Sequence, residues 1–353
     1  MIKTVHVNTS TPYDIIIGEG LFFSVSRLVS GLGLGKKAMI VTDDTVGALY
    51  LDTLREDLTN GGYEVHDFVF PHGEKSKCMA TYSALITALA KAHFDRSDAI
   101  FALGGGVVGD LAGFCAATYL RGIRFIQIPT TLLAATDSSV GGKTAIDIPE
   151  GKNLVGAFWQ PSMVICDPKM LDTLPSEYFS DGMAEVIKYA MIRDESLVSL
   201  IKNGNAKKNI SEVIERSVKI KRDVVSEDER EGGIRAILNF GHTIAHSIEA
   251  ESNYEISHGR AVGIGMALIT LAAEREGICK QGTYKKLVSL LRSYRLDYTT
   301  AYSAESLYSH SLSDKKRSSG SISLILPESM GCCKIVKTPL DRVLYLYKRG
   351  TEK

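Results

Sequence analysis

The stretch AIFALGGGVVGD, residues 99–110, decides the fold. Residues 99–103 are an unbroken apolar run of strand length, and four of the six residues after them are glycine. Residues 111–119 then read as a helix, so strand, glycine turn and helix follow in succession. Gly104, Gly106 and Gly109 satisfy Gly-x-Gly-x-x-Gly, which lets backbone amides and a helix N-terminus approach a pyrophosphate. A tight packing turn would account for one glycine; four favour an anion cradle. The usual dinucleotide pattern is nonetheless incomplete. Pro129 and Thr130 stand where an acidic residue is expected about twenty positions on, and the loop does not open the chain. The stretch therefore predicts a glycine-rich cradle in a different α/β sheet, with a ribose carboxylate supplied upstream by Asp43 or Glu74.

The preceding residues alternate strand and helix. Residues 5–7 and 13–17 have strand patterning, 21–32 are helical, and 37–42 form a buried-strand signal ending in Asp43 and Asp44. Carboxylates at such a strand end often hold ribose hydroxyls, although they are also ordinary turn residues. Residues 45–60 read as helix, 64–70 as strand and 79–92 as helix. Between the last two lies PHGEKSK, residues 71–77, where Gly73 permits an unusual backbone and Glu74 and Lys77 suit a ligand with hydroxyls and phosphate. Residues 125–128 are a strand leading into IPTTLLAATDSSVGGKTAID, residues 128–147. There Thr130 and Thr131 offer hydroxyls, and Asp137, Ser138 and Gly141-Gly142-Lys143 read as a polar, flexible segment. Lysines are solvated by default, but the glycine-flanked apolar setting of Lys143 and Lys152, the latter followed by Asn153, favours phosphate or carboxylate binding. Residues 163–166 are the last strand signal, with a connector over 167–175. The predicted organisation is an α/β domain with a parallel sheet over 1–167 and an all-α domain over 168–353.

In the helical half, Ser180 or Asp181 can cap a helix carrying Glu185 and Lys188, a spacing that usually means a modest ion pair. Apolar neighbours make Glu185 a candidate metal ligand as well. A second helix, 207–225, ends its charged stripe with Lys219, Lys221 and Arg222, and an amphipathic helix is expected over 260–277. RAILNFGHTIAHSIEAESNYEISH, residues 235–258, holds three of the eight histidines. If residues 234–251 are one helix, Arg235, Asn239, His242 and His246 share one stripe, and His258 lies just beyond. Two or three imidazoles converging suggest zinc, which needs a further protein ligand and an open position. A lone His-x-x-x-His is more often solvated or hydrogen-bonded, but a core stripe would not also carry a cation and an amide. Asp314, Lys315 and Lys316 form a charged loop before the apolar run 322–326.

Acidic and basic residues balance at 41 each across 353 residues, so no net field draws the chain to nucleic acid or to a membrane. The six cysteines lack paired Cys-x-x-Cys spacing and sit mostly in apolar contexts, as small buried residues do in a reducing compartment. No signal-peptide pattern opens the sequence, and residues 99–120 are too interrupted by glycine and Asp110 to span a bilayer. A cytoplasmic protein is expected.

Taken in order, PHGEKSK, GGGVVGDLAGFCAATYLRGI, IPTTLLAATDSSVGGKTAID, GKNLVGAFWQP, TLP at 173–175, GMAEVIKY, DERE, RAILNFGHTIAHSIE, HGRAV and DKK resemble the 3-dehydroquinate synthase family over nearly the whole chain. The sequence departs at Arg260 and Ala245, where the family generally has glutamate and glycine. The resemblance implies a Rossmann-like NAD-binding domain, a helical domain, an active site between them, and zinc or cobalt held by Glu185, His242 and His258. His246 would then touch substrate or relay a proton instead of binding metal. NAD contacts would come from Asp43, Glu74, Lys77, Gly105, Gly106, Asp110, Thr130, Thr131 and Thr173, with Lys143 and Lys152 beside cofactor and substrate alike. Substrate contacts would come from Asp137, Lys143, Lys152, Asn153, Lys188, Lys221, Arg235, Asn239 and Lys316, the last preferred over Lys315. Arg121 resembles an arginine that reaches across a dimer interface, so a homodimer is implied. The implied reaction converts 3-deoxy-D-arabino-heptulosonate 7-phosphate, an anionic sugar phosphate, to 3-dehydroquinate and phosphate with NAD reduced and reoxidised. Alternatives are a related sugar-phosphate cyclase or an NAD-dependent polyol dehydrogenase. A nucleotide-binding regulator without catalysis would have no use for Glu185, His242, His246 and His258.

Overall fold

The computed structural model describes residues 2–315 and 320–352, so Lys316 lies outside the described residues. The chain opens with the antiparallel pair β1 (Lys3–Val7) and β2 (Tyr13–Ile17), continues through α1 (Val25–Val29), and reaches β3 (Lys37–Asp43), α2 (Asp44–Asn60) and β4 (Glu64–Phe70). Next come α3 (Met79–Lys91), β5 (Ala99–Gly104), α4 (Gly106–Thr118), β6 (Arg124–Pro129), the hairpin β7 (Lys143–Ile148) and β8 (Gly151–Phe158), and β9 (Met163–Cys166). The main sheet has the order β1-β2-β9-β6-β5-β3-β4, parallel from β2 to β4.

The central strands are apolar without alternation because both faces are covered. Met39, Val41, Ile100 and Ala102 face a layer containing α3 and α4 through Leu85, Leu89, Val108 and Leu111. Ala38, Ile40, Phe101 and Leu103 face α1 and α2 through Val25, Leu54 and Leu58. The chain runs outward from β3 to β4 and then returns to the other side of β3 as β5. Thr42 pairs with Leu103, so Asp43 and the glycine turn leave the sheet side by side. This reversal of strand order opens a crevice at the carboxyl ends, where such sheets bind ligands.

The segment read as flexible after β6 is ordered. Residues Ala134–Ser138 make one π-helical turn, and β7 with β8 forms an antiparallel hairpin in which Thr144, Ala145 and Ile146 are buried. Glycines hid this hairpin, yet one of them is required: a Cβ on Gly156 would come within 2.3 Å of the Thr144 carbonyl oxygen.

Two compact units divide the chain, Met1–Pro175 with Lys221–Glu229, and Ser176–Ile220 with Arg230–Lys353. The break after Pro175, and not after 167, follows from the 3-10 turn Pro168–Thr173, whose Met170 packs among the α1 and α2 side chains. The second unit contains α5 (Ser176–Ile192), α6 (Val198–Ile201), most of α7 (Ile210–Glu227), α8 (His242–Glu251), α9 (His258–Arg275), α10 (Thr283–Ser293), α11 (Ala304–Lys315) and α12 (Leu340–Thr351). It is helical apart from a hairpin, β10 (Ser321–Ser329) and β11 (Cys332–Pro339), which the all-α expectation lacked. Helix α9 is buried nearly all round and packs on α5, α8, α10 and α12, so it is a core helix and not an amphipathic surface one.

The expected single helix over 234–251 is broken. Residues Ile234–Asn239 form a 3-10 helix, Gly241 adopts φ +79°, and α8 starts at His242. Arg235 and Asn239 therefore do not share one helical stripe with His242 and His246. The break has a packing cause: a Cβ on Gly265 of α9 would stand 2.1 Å from the Gly241 carbonyl oxygen. The six cysteines are free thiols, and among the described residues no helix is long and apolar enough to cross a membrane.

Candidate functional site

Three close approaches in the second unit bring a carboxylate and two imidazoles together. Gly259 at the start of α9 lies so near α5 that a Cβ would meet the Asp181 backbone at 2.4 Å. Glu185 follows Asp181 by about one turn, and His258 immediately precedes Gly259. The Gly241–Gly265 contact seats His242 at the first position of α8, and Ser257 ties the loop before α9 to Asp181 by a 2.6 Å hydrogen bond.

A tetrahedral zinc with bonds of about 2.0–2.1 Å sets its ligand atoms about 3.3 Å apart. Glu185 Oε1 stands 3.4 Å from His242 Nε2 and 3.3 Å from His258 Nε2, and the three ligand atoms lie within 4.8 Å of one another. Glu185 is buried, yet neither carboxylate oxygen completes a regular hydrogen bond, although Oε2 lies against the Lys188 ammonium. A buried carboxylate left this way suits a cation, and the residues fit a divalent metal. His242 Nδ1 faces the Phe240 carbonyl at 3.1 Å, which favours the tautomer with its Nε2 lone pair directed at the centre. His258 Nδ1 has the Glu249 carboxylate 3.6 Å away. Burial alone would raise the Glu185 carboxyl, but Lys188 and His242 hold it well below the usual range. For His258, burial opposes the charged form, while Glu185 and Glu249 outweigh it and push the pKa up to about 10. A cation entering here displaces that proton, so metal affinity rises with pH.

His246 sits one turn on, its ring 5.9 Å from that of His242, exposed and outside the three-donor set. Arg235 is a buried guanidinium in the 3-10 turn, and Asn239 donates to Glu231 at 2.9 Å. Glu231 and Glu249 are carboxylates that the sequence did not single out. The acidic DERE run held the first, and nothing local marked the second, since only its place behind His258 gives it meaning.

In the first unit, Gly105 caps α4 and the glycines permit close packing: a Cβ on Gly105 would meet Thr131 at 3.0 Å, and one on Gly106 would meet Ser138 at 3.2 Å. Thr130 is buried beside this turn with its hydroxyl oxygen unpartnered, while the Thr131 hydroxyl accepts from the Ala134 amide at 3.1 Å. Asp43 caps α2, accepting from Thr45 and Val46, and Thr173 bonds to the Tyr50 hydroxyl at 2.6 Å.

Lys77, expected to face ligand, is buried and engaged by the protein. Its ammonium bonds to Glu74 at 2.8 Å, Asn153 at 2.8 Å and Asp110 at 3.2 Å, with Asp147 at 3.9 Å. Burial pushes Asp110 up to about 6 despite Lys77, and Lys77 is raised by the surrounding carboxylates against its own burial. Asn153, at φ +55°, donates its backbone amide to Asp147, so the ammonium ties the residue 71–77 loop, α4 and the hairpin together. Lys143 is exposed opposite Phe158 at one end of the hairpin, and Lys152 follows Gly151 at the other, so the backbone holds the two lysines apart. Lys221 donates to the Asp137 carboxylate at 2.9 Å and to its backbone oxygen at 2.8 Å. Arg121 is exposed in a left-handed turn, φ +67°.

Residues 67–181 match the 3-dehydroquinate synthase N-terminal family, and residues 182–317 match the 3-dehydroquinate synthase C-terminal family. A 3-dehydroquinate synthase of Clostridium acetobutylicum is 43% identical over 343 residues, 96% of each chain. Among solved structures, 2-deoxy-scyllo-inosose synthase complexed with carbaglucose-6-phosphate, NAD+ and Co2+ is similar at a TM-score of 0.88 and 25% identity, over 99% of this chain and 100% of that one. The 2-epi-5-epi-valiolone synthase of Streptomyces hygroscopicus, with NAD+ and Zn2+ bound, follows at 0.86 and 26% identity, over 97% of each.

Proposed function

The chain belongs to the 3-dehydroquinate synthase family, and from that premise we infer that it carries 3-deoxy-D-arabino-heptulosonate 7-phosphate to 3-dehydroquinate and inorganic phosphate. It is a carbon–oxygen lyase of the shikimate pathway that works with NAD and a divalent cation. The observation that carries the reading is the convergence of Glu185, His242 and His258, whose ligand atoms all lie within 4.8 Å of one another. Glu185, His242 and His258 would hold zinc or cobalt, which would supply Lewis acidity toward the substrate's oxygens, and bound NAD would supply a hydride acceptor that is regenerated within the cycle.

The chain's own residues bind and orient. Arg235 and Lys221 receive the substrate carboxylate, Arg235 offering a planar fork and Lys221 a point charge whose position Asp137 fixes. Lys152, Asn153, His246, Arg121 and Lys316 suit the phosphate dianion, and Lys143, at the other end of the hairpin, suits the substrate's other anionic group. Lys188 beside Glu185 keeps that carboxylate ionised. Asn239, held by Glu231, offers an amide to a hydroxyl. At the crevice of the parallel sheet, Gly105, Gly106 and Thr131 surround the pyrophosphate, Thr130 offers its unpartnered hydroxyl, and Asp43 and Thr173 lie toward the ribose. Lys77 acts mainly from behind, holding Glu74 and Asp110 in place for NAD and Asn153 in place for the phosphate.

The decisive assay incubates the protein with the heptulosonate phosphate and a trace of NAD and follows inorganic phosphate. Many phosphates released per NAD, with no NADH accumulating, support the reading. Stoichiometric NADH identifies a polyol dehydrogenase, and turnover of a sugar phosphate without a carboxylate identifies a different cyclase.

A homodimer in which Arg121 reaches the partner's phosphate site is part of the proposal. Arg121→Ala and Lys152→Ala should each be nearly inactive alone, yet recover about one quarter of parent activity when unfolded and refolded together as an equal mixture, because half the dimers are mixed and half their sites intact. No recovery, with both variants folded, overturns the shared site.

A further inference from the structure

We propose that Glu229 is a positioning residue: its carboxylate clasps the Lys221–Glu229 segment onto the first unit and so holds Lys221 where an anionic group is received. Ser10, between β1 and β2, donates to Glu229 through its backbone amide and its hydroxyl, each at 2.8 Å. Gln160, just past β8, donates its side-chain amide at 2.9 Å. A carboxylate accepts from all three donors; a neutral amide could not, because one of its two heteroatoms is itself a donor.

The constraint reaches binding residues in two directions. Gln160 is buried, with its amide orientation set by Glu229, and it covers Gly142, where a Cβ would come within 2.8 Å of its side chain. Lys143 is the next residue. Toward the N-terminus, the last two turns of α7 carry Lys221, bonded to Asp137, and Arg222, which donates to the His6 carbonyl at 3.3 Å. The end of a helix frays unless something beyond it is anchored. Glu229 lies two residues past Glu227, where α7 stops, and supplies that anchor.

The substrate consequence rests on the carboxylate role proposed for Lys221; the positioning itself does not. The test uses the holoenzyme with NAD and zinc and the Glu229→Gln variant. The substrate dissociation constant should rise about tenfold, the loss expected for weakening a charged hydrogen-bond cluster, while affinities for NAD and zinc stay at parent values. Labelling of Lys221 by an amine-reactive probe, read by peptide mass spectrometry, should accelerate. In a Lys221→Ala background the same substitution should weaken substrate by much less than in the parent, the remainder being the share carried through Gln160 and Gly142. Additive losses in that background, or unchanged Lys221 labelling, overturn the clasp. Faster labelling with unchanged substrate affinity leaves the clasp standing and overturns the carboxylate role of Lys221. If Glu229→Gln does not fold, Ser10→Ala removes one donor and is read by the same labelling.

Discussion

Glu185→Ala is expected to lose the metal and the activity together and to destabilise the second unit by about 3–5 kcal/mol, the cost of breaking a buried ion pair from one side. Glu185 is the donor nearest both imidazoles, and its other oxygen lies against the buried Lys188 ammonium. Removing the carboxylate thus takes away a ligand and strands a cation beside two histidines. The two losses are separable. The double variant Glu185→Leu/Lys188→Met removes both charges, and apolar replacements of a buried pair are often tolerated. It should recover most of the stability in urea unfolding while zinc, measured by elemental analysis and chelator competition, stays absent. Stoichiometric zinc in Glu185→Ala would defeat the ligand assignment, and a single variant as stable as the parent would defeat the buried-pair argument.

Lys77→Met should be the most damaging change in the first unit. It leaves Glu74, Asp110 and Asp147 facing one another without the ammonium that now bonds the first two and approaches the third. A loss of about 3–5 kcal/mol is expected at neutral pH, together with weaker NAD binding. A carboxyl whose folded pKa lies above its unfolded value binds protons more readily when folded, so stability falls as pH rises through the folded pKa. Asp110, near 6, already imposes this loss on the parent from about pH 4 to pH 6. Without Lys77 the pKa values of Asp110 and Asp147 climb further, and the loss extends above neutrality. Lys77 works oppositely: its pKa is raised, so its contribution is intact at neutral pH and fades only in strong alkali. The variant's unfolding midpoint should therefore rise on acidification from about pH 8 to pH 6 more steeply than the parent's. A parallel pH profile would show that these carboxylates do not depend on Lys77.

Much of the first unit was legible because its signals are local. The apolar run ending in Leu103, the glycines and α4 lie where the sequence predicts strand, turn and helix. The hairpin 143–158 was not legible, because glycines at 142, 151 and 156 mask its alternation and its burial depends on packing against α4. In the second unit, α5 and α9 were legible in outline. The break at Gly241 was not: the local sequence reads on as helix, and the turn is packed against α9, where Gly265 leaves room for the Gly241 carbonyl. The true partners of Lys77 were equally hidden, since Asp110, Asp147 and Asn153 come from three separate elements.

The sequence alone determined the α/β and helical halves, the glycine turn between β5 and α4 and the kinds of side chain available, including two imidazoles and a carboxylate suited to a divalent cation. Those properties follow from hydrophobic period and side-chain chemistry, which neighbouring residues carry. Tertiary structure alone decided that one oxygen of Glu185 stands from both His242 and His258 at the separation of two ligands on one cation. That depends on Gly259 meeting Asp181 and on Gly265 meeting Gly241, backbone contacts between helices far apart in the chain. Their distances are set by the packing of whole helices, and no local pattern records them.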